Sequence, residues 1–186
     1  TSIMRSAVSR LVGMMEGVLS SNMLKTGKFQ LVPETFDVKA LIDDLCREHE
    51  DLSDVPFMRR EFINVPDFIY IDRKAMTLIL GNLIANAVKF SRENPQIGIQ
   101  ATVQDNSIKI MVEDNGIGVP AAEINNIFTR YYRASTASGT PGTGIGLNLV
   151  KDLVEMQDGR ILFESREGFG AKLTVVLPLQ NDEGDS

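Results

Sequence analysis

The chain has 186 residues, 43% of them apolar and 24% charged, which is enough for one good-sized domain with the balance of an ordinary globular protein. A net charge of −6 argues against a non-specific nucleic-acid binder, which needs a basic surface, so any anionic ligand must be held by local groups. One cysteine, Cys46, and one histidine, His49, exclude a disulfide framework and a Cys/His zinc site. No apolar run reaches the length of a membrane span and no signal peptide is visible; the cysteine usage fits a reducing cytoplasm. The chain starts at Thr1 rather than a methionine, and reads as a piece of a longer protein with room for targeting or membrane segments upstream.

In chain order, Ile3, Val8, Leu11, Val12, Met15, Val18, Leu19 and Met23 recur at helical spacing, predicting an amphipathic helix over Ser2 to Leu24 with Gly27 as its stop. Its apolar stripe needs a partner, as in a helical hairpin or bundle. An extended piece, Phe29 to Val32, follows and closes at Pro33. Asp37 is the expected N-cap of a helix carrying Val38, Leu41, Ile42, Leu45 and Cys46, with Cys46 a buried, inert thiol. That helix is expected to end in the acidic run Glu48 to Asp54, with His49 at its surface or end. Met58 to Val65 and Phe68 to Ile71 read as short strands, and Asp72 as the next N-cap.

The stretch Met76 to Ser91, MTLILGNLIANAVKFS, is nearly all apolar and reads as a helix buried on most sides. Asn82, Asn86 and Lys89 nevertheless fall on one stripe of it. An unpartnered buried polar group costs about 1–3 kcal/mol, so three in line require something polar opposite them. Neighbouring loops or a phosphate chain with its metal ion would both serve.

Two strands, Gln96 to Gln104 and Ser107 to Glu113, are joined by Asp105-Asn106, a tight hairpin signal. Asp114-Asn-Gly-Ile-Gly118 ends the second strand, where glycines let backbone approach a ligand and Asp114 offers a carboxylate to an exocyclic amine; an ordinary turn is the competing reading. Ile124 to Phe128 is expected as a short helix, and Thr129 to Gly142 as an aperiodic polar segment of the kind that is functional or mobile. Gly142-Thr-Gly-Ile-Gly-Leu147 then feeds a helix running to Met156. A glycine loop at a helix N-terminus favours phosphate, yet no strand precedes this one and no Lys-Ser or Lys-Thr follows it, so it is neither a dinucleotide fingerprint nor a P-loop. Gly159 to Ser165 and Ala171 to Leu177 form a closing antiparallel pair, and the acidic residues from Asn181 an expected disordered tail. The alternation implies an α+β fold, a mostly antiparallel sheet with helices on one face.

These motifs, in this order, resemble the catalytic ATP-binding domain of sensor histidine kinases, within the superfamily of gyrase, Hsp90 and MutL. Asn82 to Ser91 is similar to the N box, Asp114 to Gly118 to the first glycine box, Ile127 to Arg133 to the F box and Gly142 to Leu147 to the second glycine box. The resemblance covers roughly Phe36 to Leu179. It implies a Bergerat-type two-layer sandwich of a mixed, mostly antiparallel sheet, and three segments: 1–28 as the second helix of a dimerisation and phosphoacceptor hairpin plus linker, 29–180 as the ATP-binding domain, and 181–186 as tail.

The resemblance also implies roles. Asp114 would bind the adenine amino group and Phe90 pack on the ring; Asn86 with Asn82 would hold Mg²⁺. Lys89, Arg133 and Arg130 would neutralise phosphate, and Gly142, Thr143, Gly144, Gly146 and Leu147 would form the phosphate cradle under a lid spanning Thr129 to Pro141. Gly116 and Gly118 would shape the adenine loop, Thr174 would support adenine through water, and Phe128 would be a packing anchor. The implied function is transfer of the ATP γ-phosphoryl to a histidine on the hairpin of the same protein, for relay to a response regulator, in the cytoplasm and with membrane anchoring of the parent left open. The parent is expected to dimerise while this piece is monomeric or weakly associated. The histidine-acidic-arginine phosphoacceptor box is absent from the sequence, so no self-phosphorylation is expected from it alone. The alternatives are a gyrase- or Hsp90-like ATPase and a degenerate ATP-binding scaffold; against the first, Asn82 stands where those relatives carry a water-activating glutamate.

Overall fold

The computed structural model describes residues 22, 26–27, 29–52 and 57–180. The expected helix over Ser2 to Leu24 and the tail from Asn181 lie outside the described residues, Asn22 excepted. Asn22 is helical, Thr26 N–H donates to its carbonyl at 3.1 Å, and Gly27 follows at φ +66°, as a helix stop requires.

The elements are β1 (Glu34–Phe36), α1 (Val38–Leu52), β2 (Met58–Ile63), β3 (Ile69–Ile71), α2 (Arg73–Phe90), β4 (Ile97–Gln104), β5 (Ser107–Asp114), α3 (Gly146–Glu155), β6 (Arg160–Arg166) and β7 (Gly170–Pro178). Five strands make one sheet in the order β2-β4-β5-β7-β6, with only the β2-β4 pair parallel. That pair can be parallel because β3 and α2 intervene and carry the chain back across the sheet. β1 and β3 form a separate antiparallel ribbon.

Side-chain alternation sorts the sheet into two faces. Ile97, Ile99 and Ala101 of β4, Ile108, Ile110 and Val112 of β5, and Leu173, Val175 and Leu177 of β7 are all buried and in register. Against them lie Val38, Leu41, Ile42 and Cys46 of α1, seven residues of α2 from Ala75 to Ala87, and Leu149, Val150, Leu153 and Val154 of α3. The other face carries Arg59, Glu61, Gln100 and Glu113, tied by Arg59–Glu113 at 2.5 Å and Gln100–Glu61 at 2.8 Å. The expected two-layer α+β sandwich is the observed one.

Both expected caps form: Asp37 Oδ1 accepts from Ala40 N–H at 3.0 Å and Asp72 Oδ1 from Ala75 N–H at 2.6 Å. Asp105 and Asn106 both take positive φ, 49° and 53°, as a tight hairpin between right-twisted strands needs. The extended piece at Phe29 to Val32 pairs with no strand: Phe29 is buried in the core and Val32 N–H donates to the second Asp72 oxygen at 2.5 Å, and strand pairing begins past Pro33, at Glu34. One expectation is corrected. The helix expected over Ile124 to Phe128 is a 3₁₀ turn, Ala121–Asn126, that buries no residue; it opens on Pro120, whose carbonyl accepts Glu123 N–H at 2.9 Å. His49 lies at the helix end as expected, partly buried in the last turn of α1, and burial lowers its pKa.

α1 is clamped to the parallel edge strand by a half-hidden ion network. Arg60 Nη2 meets Glu50 Oε2 at 2.9 Å and its Nε lies 3.4 Å from Asp43, while Glu50 Oε1 accepts Met58 N–H at 2.6 Å. Cys46 is buried beside this network, and burial pushes its thiol up to about 11, as an inert thiol should be. Replacing Arg60 by Met strands two carboxylates and is expected to cost about 2 kcal/mol at neutral pH in a denaturant titration. The Arg60 and Met58 hydrogen bonds hold Glu50 below its ordinary 4.5. Its contribution is therefore present above 4.5 and disappears as pH falls through the lowered folded value, so the stability margin of wild type over Glu50→Gln closes on acidification.

Candidate nucleotide site

α2 is driven inwards by its apolar residues, which leaves its polar stripe aimed at the loop preceding α3. Asn82 Nδ2 donates to the Leu78 carbonyl at 2.8 Å, which turns Oδ1 outwards; a methyl group built on Gly146 would stand 2.7 Å from that oxygen. A methyl on Gly142 would stand 2.2 Å from Lys89 Nζ. Asn86, partly buried, lies one turn from Asn82 and just under one from Lys89 on the same face. The second glycine loop thus passes close over the stripe, and a side chain at Gly142 or Gly146 would require Lys89 or Asn82 to shift.

Asp114 closes β5 on the helix-facing side, in phase with Ile110 and Val112. Burial raises its pKa, opposed by hydrogen bonds from Gly116 N–H at 2.8 Å and from the Ala171 backbone. The loop after it is seated on the C-terminus of α2. Ile117 N–H donates to the Phe90 carbonyl at 3.1 Å, and a Cβ on Gly116 would come within 2.2 Å of that oxygen. Asp114 and Phe90 are thereby drawn to one place by backbone contacts. Gly118 lies against the Arg166 carbonyl, so the β6–β7 turn packs beneath the same loop.

Two cations converge here. The Lys89 ammonium lies 4.6 Å from the centre of the Phe90 ring, and its pKa is lowered first by burial and then by the charge of Arg133. Arg133 itself donates to the carbonyls of Ala137, at 2.8 Å, and Thr140. Arg130 lies with its guanidinium 4.9 Å from the Tyr131 ring centre, its buried Nε without a hydrogen-bond partner. Tyr131 takes φ +66°, an uncommon conformation for a bulky residue, and its N–H donates to Gly144 at 2.8 Å. Gly144, at φ +70°, has no room for a Cβ against Tyr131 and Tyr132. The F-box segment and the second glycine loop are thus one packed unit.

Most of the sequence-expected site residues are brought together, with one correction, Thr174. Thr174 pairs with Met111 and so points to the opposite face of the sheet from Asp114; the β7 residue opposite Asp114 is Ala171. Leu147 packs on the core, and Thr143 is exposed. Phe128 makes an edge contact with Phe163, ring centres 6.4 Å apart, as a packing anchor should. Sequence reading missed Glu123, which accepts Tyr132 Oη–H and Ser135 N–H at 2.8 Å each and the Ser135 hydroxyl. A lone glutamate after Pro120 carries no signal that separates it from a solvated charge. It missed also that the buried Asp72 ties the incoming segment to α2.

Comparison with known proteins agrees with this geometry. Residues 71–181 match the family described as histidine kinase-, DNA gyrase B- and HSP90-like ATPase. The chain is 31% identical over 189 residues to the sensor protein kinase WalK of Staphylococcus haemolyticus and 32% identical over 190 residues to that of Staphylococcus saprophyticus. In each case 99% of this chain is covered but only 31% of the relative, so the chain spans about a third of the length of these curated relatives. Its fold matches the Acinetobacter baumannii histidine kinase AdeS with TM-score 0.73 at 22% identity, over 94% of this chain and 81% of that one. It matches full-length ShkA, solved in complex with AMPPNP, with TM-score 0.78 at 23% identity, over 95% of this chain and 37% of that one. The buried Asp114, the amide and lysine stripe and the two glycine loops occur on a chain that belongs to the histidine kinase-, DNA gyrase B- and HSP90-like ATPase family.

Proposed function

We propose that this domain binds ATP across α2 and delivers its γ-phosphoryl to a histidine on the dimerisation hairpin of the parent protein, for relay to a response-regulator aspartate. The observation that carries the phosphate assignment is the seating of the glycine loop on the polar stripe, with Gly142 against the Lys89 ammonium and Gly146 against Asn82 Oδ1. A cation beside a loop of glycines at a helix N-terminus favours a polyanion there. Asp114 takes the adenine amino group, Phe90 packs on the ring, and Gly142, Gly144 and Gly146 present backbone N–H groups to the phosphates.

The amide oxygens of Asn82 and Asn86 suit Mg²⁺, which keeps several waters and shares its oxygens with phosphates. Among the described residues no group of three or more His, Cys, Asp or Glu forms a protein-only metal cage, and Asn82 Oδ1 is already turned towards the phosphate loop. When bound, that ion would offset phosphate charge. Lys89 and Arg133 orient the chain, and the acceptor's neutral imidazole supplies the electron pair, forming an N–P bond as the bond to the ADP oxygen breaks. No base is needed in the domain. Against the hydrolase alternative, Asn82 cannot accept a proton from water, and its amide is tied to Leu78.

The further assignments are 1–28 as hairpin helix and linker, 181–186 as tail, a dimeric parent and a cytoplasmic domain. No described helix is long and apolar enough to cross a membrane. Calorimetric titration of ATP is expected to give Mg²⁺-dependent binding by wild type, a loss of about 100-fold in Asp114→Asn, where a buried charged acceptor is replaced, and no Mg²⁺ dependence in Asn86→Ala. Folded wild type that fails to bind would overturn the reading. Lys89→Ala is expected to weaken ATP about tenfold and adenosine not at all, read by competition with a fluorescent nucleotide. With a separate histidine-bearing hairpin added, labelled ATP should yield acid-labile phosphohistidine in that hairpin.

A further inference from the structure

Glu123 stands in the 3₁₀ turn Ala121–Asn126, which buries no residue, so apolar packing does not explain why the lid lies against it. At its start the lid is tied to the turn by Thr129 N–H, which donates to the Asn126 carbonyl at 2.9 Å; further along, the Glu123 carboxylate joins them. Its Oε2 accepts the Tyr132 hydroxyl and the Ser135 N–H, each at 2.8 Å, and its Oε1 accepts the Ser135 hydroxyl. Tyr132 and Ser135 bracket Arg133 in sequence. The same bonds hold the carboxyl below its ordinary range, keeping it an acceptor at both oxygens.

The rest of the lid is pinned in series with this contact. Tyr131 N–H is held by Gly144, and Thr136 Oγ1 donates to the Gly118 carbonyl at 2.9 Å. Arg133 therefore projects from a backbone fixed on both sides, and its guanidinium is steadied by the Ala137 and Thr140 carbonyls. An arginine on an unpinned loop would lose rotamer and backbone freedom on meeting a phosphate; one already held loses little.

We propose that Glu123 is a positioning residue for phosphate binding: by gripping Tyr132 and Ser135 it fixes the span that carries Arg133, so that the guanidinium is held in place before nucleotide arrives. This rests on the assignment of Arg133 to the phosphates. Glu123 touches no reacting atom and acts only through Arg133.

The test is a double-mutant cycle on the full chain, with Glu123→Ala, Arg133→Ala and the double variant titrated against ATP and against adenosine. Glu123→Ala should weaken ATP about fivefold, the size expected for re-ordering one long side chain, and leave adenosine unchanged, which also shows the adenine pocket still folded. The double variant should bind ATP no more weakly than Arg133→Ala, and amide exchange over residues 133–140 should quicken in Glu123→Ala. Equal losses of ATP and adenosine, or an undiminished Glu123 penalty in the Arg133→Ala background, would overturn the proposal. Wild-type ATP affinity in the single Arg133→Ala variant would instead overturn the phosphate role of Arg133, and the proposal with it.

Discussion

Everything in this domain depends on α2 being buried on most sides while carrying a polar stripe. Met76, Ile79, Leu80, Leu83 and Ile84 are fully buried, and each is worth about 1.5–3 kcal/mol on transfer from water. That sum exceeds the cost of placing Asn82, Asn86 and Lys89 at the helix surface facing the loops, at about 1–3 kcal/mol for any that lacked a partner. The apolar side fixes the helix against the sheet, and the polar side has no freedom to turn away. The ligand-facing geometry is thus a by-product of core packing, and it is rigid for the same reason the core is.

The two ends of α2 extend that control. At its start, the buried Asp72 carboxylate caps the helix and also takes Val32 N–H, so the segment arriving from upstream is hydrogen-bonded to the element that carries Asn82, Asn86 and Lys89. At its end, the Phe90 carbonyl takes Ile117 N–H and sets the loop holding Asp114. Gly116 is required there because the backbone of the loop lies on the helix end, which is a packing reason; closeness to a ligand is a second demand on the same position. The glycine motifs therefore record contacts between protein segments.

Much of this was legible in the sequence because it follows from periodicity and local chemistry. The Asn82, Asn86 and Lys89 spacing, the Asp37 and Asp72 caps, and the Asp105-Asn106 turn are short-range signals, and each was realised. Thr174 was misplaced because its face is set by strand register, and only the pairing with Met111 reveals it. The 3₁₀ turn at Ala121–Asn126 escaped because six residues are too few to show whether a segment is α-helical or 3₁₀. Glu123 was invisible for a different reason: its partners, Tyr132 and Ser135, come together only when an aperiodic segment folds back.

The chemistry open to such a site is decided by what it lacks at one position. The surroundings of Asn82 would suit a carboxylate: a polar stripe, a cationic neighbour at Lys89 and a glycine loop leaving space at Gly146. With an amide there, and that amide spent on the Leu78 carbonyl, water near the γ-phosphate has no base on this helix. Under the proposed function the phosphoryl group would be bound, charge-neutralised and oriented, waiting for a nucleophile that needs no activation. An imidazole meets that requirement where water does not, so the same fold that hydrolyses ATP with a glutamate at this position is suited, with an asparagine, to hand the phosphoryl group to a histidine.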